Sequence, residues 1–179
     1  CNDCFNVQLR HIINSEVLYK NYSYLTPNSE SLSIHYSKLL EYLELNVENL
    51  NKKNVLEIGS NTGELLAFLK DRVNKTLGVD PASNVVEISK DRGIDTICNF
   101  FNIEVSNYIK KKYFKYADIV IARHMFAHNP YPQKILKGME DILSEDGILI
   151  IENAYAIETF QKGEFDQIYH EHMFYYSII

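Results

Sequence analysis

Residues 55–63 read Val55-Leu56-Glu57-Ile58-Gly59-Ser60-Asn61-Thr62-Gly63, and no other stretch restricts the fold as much. An apolar strand carrying an acid near its end passes through a short glycine-containing turn into the helical run Glu64-Leu65-Leu66-Ala67-Phe68-Leu69. Glycine has no Cβ, so such a turn lets a ligand approach the backbone closely. The N–H groups at the following helix start can hold polar or anionic ligand groups. The E-x-G-x-x-x-G spacing differs from both the dinucleotide pattern G-x-G-x-x-G and the phosphate loop G-x-x-x-x-G-K-[ST].

The rest of the chain continues the strand–helix rhythm. Strands are predicted at 54–58, 76–80, 94–98, 117–122 and 147–152, with helices at 62–72, 83–91, 103–112 and 132–143. A further helix is predicted over Ser29–Leu45, with Leu32, Tyr36, Leu39, Leu40 and Leu43 on one side. This alternation predicts an α/β fold of βαβ units, a parallel sheet with helices on both faces. Ligands of such sheets bind beyond the strand C-termini, where strand order reverses. The residues with chemical potential sit at those ends: Glu57, Gly59, Ser60, Asn61 and Gly63; Asp80 and Pro81; Asn99, Phe100 and Phe101; Arg123, His124 and His128; Glu152 and Asn153.

Composition narrows the partners. The chain has 179 residues and a net charge of -6, and its densest basic run is Lys110-Lys111-Lys112, read as a solvated helix face. Nucleic acid is therefore not expected as the main partner. No apolar run approaches the roughly 18 residues needed to span a bilayer, and no signal peptide is visible, so a cytoplasmic enzyme without membrane attachment is expected. Cys98 reads as a buried apolar residue in a strand. The start at Cys1 and the apolar finish Tyr175-Tyr176-Ser177-Ile178-Ile179 read as the cut ends of a longer protein. Residues 1–28 form a Tyr-rich lead segment, and 29–179 form the core, incomplete at its C-terminal side.

Asp80 follows the turn by about 20 residues and can accept both hydroxyls of a ribose, a geometry that nicotinamide cofactors also use. Phe100 and Phe101 could flank an adenine. With Glu57, Gly59 and Gly63, this pattern resembles the first motif of class I S-adenosylmethionine (SAM) methyltransferases, which implies SAM as cofactor, with His124 also near it.

A second signal is Glu164-Phe165-Asp166-Gln167-Ile168-Tyr169-His170-Glu171-His172-Met173-Phe174-Tyr175-Tyr176-Ser177. If this segment is extended, His170 and His172 share one face; if it is helical, Tyr169 and His172 do. The chain resembles the sugar C-methyltransferase family, which acts on nucleotide-linked 4-keto deoxysugars and carries an EFDxIYHEHxxYxS segment. Three further stretches carry the resemblance: Ala122-Arg123-His124-Met125-Phe126-Ala127-His128, Tyr22-Ser23-Tyr24 through Ser29 to His35, and Cys1-Asn2-Asp3-Cys4 through Gln8-Leu9. It implies a nucleotide-sugar substrate and methylation at the carbon beside the ketone. That requires a positioned base and hydrogen-bond donors for the enolate oxygen. The candidates are His172 as base with His170 as alternative, Glu171 to orient it, Tyr169 as donor, and Tyr24 or Tyr22 approaching from the lead segment. His128 reads as a helix-start histidine. The resemblance also implies a structural zinc of which Cys1 and Cys4 are half the ligands, since one C-x-x-C cannot close a tetrahedral site. Competing readings are a SAM-dependent O- or N-methyltransferase acting on another small metabolite and a non-catalytic SAM-binding module. The oligomeric state is not legible.

Overall fold

The structure is a computed structural model that describes residues 6–19 and 21–178. In chain order its elements are β1 (Val7–Gln8), α1 (Ser15–Tyr19), α2 (Glu30–Asn46), β2 (Asn54–Ile58), α3 (Glu64–Leu69), β3 (Lys75–Asp80), α4 (Ser83–Asp91), β4 (Thr96–Cys98), α5 (Ile103–Lys112), β5 (Ala117–Arg123), α6 (Pro132–Ile142), β6 (Leu143–Glu152), α7 (Ala156–Lys162) and β7 (Phe174–Tyr175). Single 3-10 turns follow at Leu50–Lys52, Phe126–His128 and Phe165–Gln167.

Five strands form a parallel sheet in the order β4-β3-β2-β5-β6. From β2 the chain first builds outward through β3 and β4. It then returns to the other side of β2 for β5 and β6, so strand order reverses between β2 and β5. The carboxyl ends of these two strands therefore open a crevice. Both sheet faces are covered, as the apolar runs require. On β2 and β5, Val55, Ile119 and Ile121 pack with Tyr36, Leu40 and Leu43 of α2 and Leu65, Leu66 and Leu69 of α3. Their strand neighbours Leu56, Ile58, Val120 and Ala122 pack on the opposite face with Val105 and Ile109 of α5 and Ile135, Met139 and Ile142 of α6. Truncating a fully buried leucine such as Leu56 to alanine should cost about 2–5 kcal/mol.

The predicted core elements are present, with shifted ends. Helix α2 starts where Ser29 accepts the Leu32 N–H through Oγ at 3.3 Å. Helix α3 is shorter than the predicted 62–72 because Gly63 caps it in a left-handed conformation and a turn from Leu69 to Arg72 ends it. Strand β6 begins at Leu143 rather than 147. Its ladder with β5 is broken, however: between the pairs Ala117–Leu143 and Ile119–Ile148, five steps on β6 match two on β5. The surplus bulges at Glu145-Asp146, and regular pairing starts beside Gly147. A Cβ on Gly147 would lie 2.7 Å from Leu143 Cγ. Cys98 is exposed, contrary to the expected burial, because β4 is the sheet edge.

The lead segment is tied to the far end of the chain. Val7 and Gln8 pair antiparallel with Tyr175 and Phe174. Cys1 and Cys4 lie outside the described residues, and among the described residues no group of three or more His, Cys, Asp or Glu side chains could hold a metal ion. No described helix is long and apolar enough to cross a membrane.

Candidate active site

A cavity of ≈ 720 Å³ lies over the carboxyl ends of β2, β3, β5 and β6, roofed by Tyr19 and residues 22–32 and closed on one side by residues 167–172. Its size suits a small-molecule ligand.

The turn after β2 alternates left-handed residues: φ is 73° at Gly59, 47° at Asn61 and 72° at Gly63. A Cβ on Gly59 would lie 2.7 Å from Met125 Cβ, and one on Gly63 would overlap Ser89 Oγ. The glycines are thus demanded by the packing of the turn itself. Its N–H groups are also spent internally. Gly59 and Ser60 donate to Val79 O, Asn61 to Asp80 Oδ2, Thr62 to Asn61 Oδ1 and Gly63 to Ser60 O. The amides of Gly59 to Gly63 are therefore already engaged. What the turn presents to the cavity is the surface of Gly59, Ser60 and Asn61, while Gly63 stands outside it.

Asp80 lines the cavity with Pro81, Phe100 and Phe101. Its Oδ2 accepts the Asn61 N–H at 2.9 Å and its Oδ1 the Ala82 N–H at 3.0 Å. A carboxylate has about four acceptor directions, so two remain for a ligand hydroxyl pair. Burial raises its pKa against these two backbone donors.

Glu57 does not reach the cavity. It is fully buried on the α2 side of the sheet, where its Oε1 accepts from Arg123 Nε at 3.1 Å and Nη2 at 2.9 Å. Burial pushes the Glu57 carboxyl up to about 7 despite the guanidinium. Arg123 lines the cavity in its place, lying over the Tyr36 ring at 5.0 Å. His124 lines the cavity as well, with φ of 50°, and its Nε2 donates to Glu152 Oε1 at 3.1 Å. His35 of α2 donates to the other Glu152 oxygen at 2.9 Å. These two hydrogen bonds, His124 first, hold the Glu152 carboxyl down at about 2 against the effect of burial.

The segment 168–172 is neither extended nor helical. It is a tight turn in which His172 N–H bonds Tyr169 O at 3.1 Å. The turn brings Tyr169 Oη to His172 Nε2 at 3.0 Å, while His172 Nδ1 lies 2.8 Å from Gln167 O. A carbonyl can only accept, so Nδ1 carries the proton and the Nε2 lone pair accepts the tyrosine hydroxyl. Burial lowers the pKa of His172 and raises that of Tyr169. The imidazole is thereby kept neutral and the phenol protonated.

Glu171 acts on His172 through its negative charge, which favours the protonated imidazole, and makes its hydrogen bond elsewhere. Its Oε2 accepts the Tyr22 hydroxyl at 2.8 Å and stands 4.0 Å from His128 Nδ1. Of Tyr22 and Tyr24, Tyr22 is therefore the lead-segment tyrosine bonded to the 168–172 turn. Tyr24 lines the cavity with its ring 6.3 Å from that of Tyr22. His170 is exposed and outside the cavity, which removes it as the alternative base. His128, set aside in the sequence as a helix-start residue, is a site residue. It lines the cavity, stacks on Tyr19 at 6.1 Å and lies 5.1 Å from the His172 ring. Burial drives it down to about 3, helped by His172 and His124.

The roof is fastened by two asparagines. Asn61 donates to Tyr24 O at 3.0 Å and accepts the Thr26 N–H at 3.0 Å. Asn84 of α4 donates to Tyr22 O at 2.7 Å and accepts the Tyr22 N–H at 3.1 Å. The sequence carried no signal for Asn84, since its partner is 62 residues away.

Comparison with known proteins agrees with this architecture. A family profile described as a methyltransferase domain matches residues 32–178. The C-methyltransferase NovU of Streptomyces niveus is 34% identical over 178 residues, 99% of this chain and 42% of NovU; the chain thus spans less than half of that relative's length. Among solved structures, the plantazolicin methyltransferase BpumL, in a complex that includes S-adenosylhomocysteine (SAH), superposes with a TM-score of 0.61 at 15% identity, covering 78% of this chain and 52% of BpumL. YcgJ of Bacillus subtilis also gives 0.61, at 18% identity, covering 81% of this chain and 63% of YcgJ. The last two show the shared fold, a Rossmann-like sheet of the class I SAM methyltransferase kind. With a profile that spans residues 32–178 and takes in every strand of the parallel sheet, the chain belongs to the methyltransferase-domain family.

Proposed function

We propose that this chain is the catalytic core of a SAM-dependent C-methyltransferase that acts beside the ketone of a nucleotide-linked 4-keto deoxysugar. The observation that carries the reading is the Tyr169–His172 pair. Its imidazole is held with Nδ1–H on Gln167 O and its basic Nε2 on a phenol, in the same cavity as Gly59 and Asp80. NovU, a C-methyltransferase by name, supports transfer to carbon. A structural zinc held in part by Cys1 and Cys4 belongs to the same reading, as does a cytoplasmic location.

Bound SAM supplies an electrophilic methyl group. The protein residues supply the rest. Substrate binding moves the Tyr169 hydroxyl from His172 Nε2 to the ketone oxygen, which frees the Nε2 lone pair. Nε2 then takes the proton from the adjacent carbon, and Tyr169, kept protonated by its raised pKa, donates to the enolate oxygen. SAM held beside Gly59 and Asp80 would supply the methyl group that this carbon takes up, giving up its S–C bond, while the proton stays on His172 Nε2. A cavity shielded from water by the roof would favour this loss of charge between enolate and sulfonium. Beside this pair the cavity is walled by Tyr22, hydrogen-bonded to Glu171, and by His128, stacked on Tyr19.

The test is product analysis by NMR after incubation with methyl-labelled SAM and a nucleotide-linked 4-keto deoxysugar. Label on a new C–CH3 group supports the proposal. Label on oxygen would replace it with O-methyl transfer, and SAM binding without turnover would leave a binding module.

A further inference from the structure

The roof segment, residues 21–29 between α1 and α2, has no helix or strand, and none of its residues is buried. Packing therefore contributes little to keeping it shut. Among the described residues, five hydrogen bonds hold residues 22–26 down. Four go to the side-chain amides of Asn61 and Asn84, and the fifth joins Tyr22 Oη to Glu171.

A cost beneath the roof opposes these bonds. Tyr19 Oη and His128 Nε2 are buried with no hydrogen-bond partner among the described residues. Their rings stack at 6.1 Å, and the Tyr22 ring lies edge-on against Tyr19 at 5.2 Å. A buried polar group without a partner is destabilising, and water reaches both groups once Tyr22 lifts. Shutting the roof thus gains a few hydrogen bonds and leaves two groups unpaired, effects of similar size. The roof is a two-position element rather than a fixed wall.

Asn84 weights this balance from outside. It belongs to α4 and does not line the cavity, so it touches no ligand there. Its amide grips both backbone groups of Tyr22, accepting the N–H at 3.1 Å and donating to the carbonyl at 2.7 Å. The cavity itself is lined by Tyr24, Thr26 and Pro27 of the roof together with Gly59 and Asp80. A ligand resting on Gly59 and Asp80 gains contacts with the roof only when the roof is shut, so it binds the shut position more tightly.

We infer that Asn84 is a positioning residue for the methyl donor: it holds the roof shut through Tyr22 and so sets the donor affinity without touching the donor. The inference rests on the donor reading above. Asn61 fastens the same roof but lines the cavity, so its substitution would mix the two effects.

The experiment uses the full-length protein and SAH. Calorimetry gives the affinity, and hydrogen exchange over residues 21–27, with and without SAH, gives the position of the roof. In wild type, SAH should slow this exchange. Asn84→Ala removes both bonds to Tyr22. Its SAH affinity should fall about tenfold, while roof exchange of the SAH-bound variant returns to within about twofold of the bound wild type. Asn84→Asp keeps the acceptor for the Tyr22 N–H and should fall between the two. Unchanged SAH affinity in Asn84→Ala, or wild-type roof exchange indifferent to SAH, would overturn the inference. So would a variant whose roof exchanges fast even with SAH bound, because Asn84 would then be a structural prop only. Thermal unfolding reports whether Asn84→Ala is folded; if it is not, Asn84→Asp decides alone. A wild-type protein that binds no SAH would instead refute the donor reading, and this inference with it.

Discussion

The two halves of the cavity are built by different means. The donor half, over β2 and β3, is a product of backbone. Every N–H from Gly59 to Gly63 is fixed by a neighbour within the turn or on β3, and Asp80 is held by two amides. The acceptor half, over residues 167–172 and the roof, is a product of side chains meeting across the chain. Tyr22 and Glu171 are 149 positions apart, and Tyr22 and Asn84 are 62 apart. A half made of backbone is rigid and indifferent to most substitutions beyond its glycines. A half made of side-chain contacts can be reshaped residue by residue, as a site that must distinguish substrates requires.

The largest effect is expected from His172→Ala in the acceptor half. Methyl transfer should fall about 10²–10⁴-fold, the range for a lost general base, while SAH affinity changes far less. A parallel loss of SAH affinity would show that the two halves are not separate.

The second prediction uses pH. His128 is buried neutral with its pKa at about 3, below the ordinary 6.5. Between these values the unfolded chain binds the extra proton, so the His128 contribution is complete above pH 6.5 and is lost as pH falls toward 3. Glu57, buried beneath the donor half, has the opposite sign: its raised pKa gives a contribution present below the ordinary 4.5 and lost as pH rises through about 7. Urea unfolding of wild type and His128→Asn across this range should show the wild type losing stability relative to the variant on acidification, by on the order of 3 kcal/mol. A constant difference would mean that His128 is not buried neutral.

Third, Gly59→Ala should cost about 1–3 kcal/mol, because alanine would be left-handed there and would meet Met125. Chemical denaturation measures it, and a neutral effect would show that the turn is less rigid than its hydrogen bonds imply. The smallest effect belongs to Asn84→Ala. Loss of its two bonds to Tyr22 should cost about 1–2 kcal/mol, confined to the roof. Hydrogen exchange should quicken over residues 21–27 and stay unchanged in β2 and β5.

The same contrast explains what the sequence made legible. The sheet, its helices and the donor half follow from short-range patterns. Alternating apolar strands, helical spacing in α2 and the glycine turn each declare themselves within ten residues or so. The shortfalls there are local too. Helix α3 stops early at a polar turn, and Cys98 is exposed because edge position is a property of strand order rather than of the strand. The acceptor half could be located but not wired. A helical segment would bring His172 and Tyr169 together and an extended one would not; a tight turn makes their contact instead. Glu171 acts on His172 through its charge while its hydrogen bond goes to Tyr22, Tyr22 rather than Tyr24 makes the bond of the two that the sequence offers, and the partners of His128, Tyr19 and His172, are not readable from its place after β5. Each of these depends on a contact between distant segments, which periodicity does not encode. Glu57 illustrates the same limit in the donor half: its partner, Arg123, lies 66 positions away.

The central claim is that His172 creates a carbon nucleophile at a ketone-activated position. Proton removal precedes methyl transfer, so it should proceed without the donor. The direct measurement is deuterium uptake from D2O into the carbon beside the ketone of a nucleotide-linked 4-keto deoxysugar, followed by NMR with SAM omitted. Uptake by wild type that disappears in His172→Ala is the predicted result. Uptake that persists at the wild-type rate in the variant, or methyl transfer to carbon by a wild type that never exchanges that proton, would contradict the account.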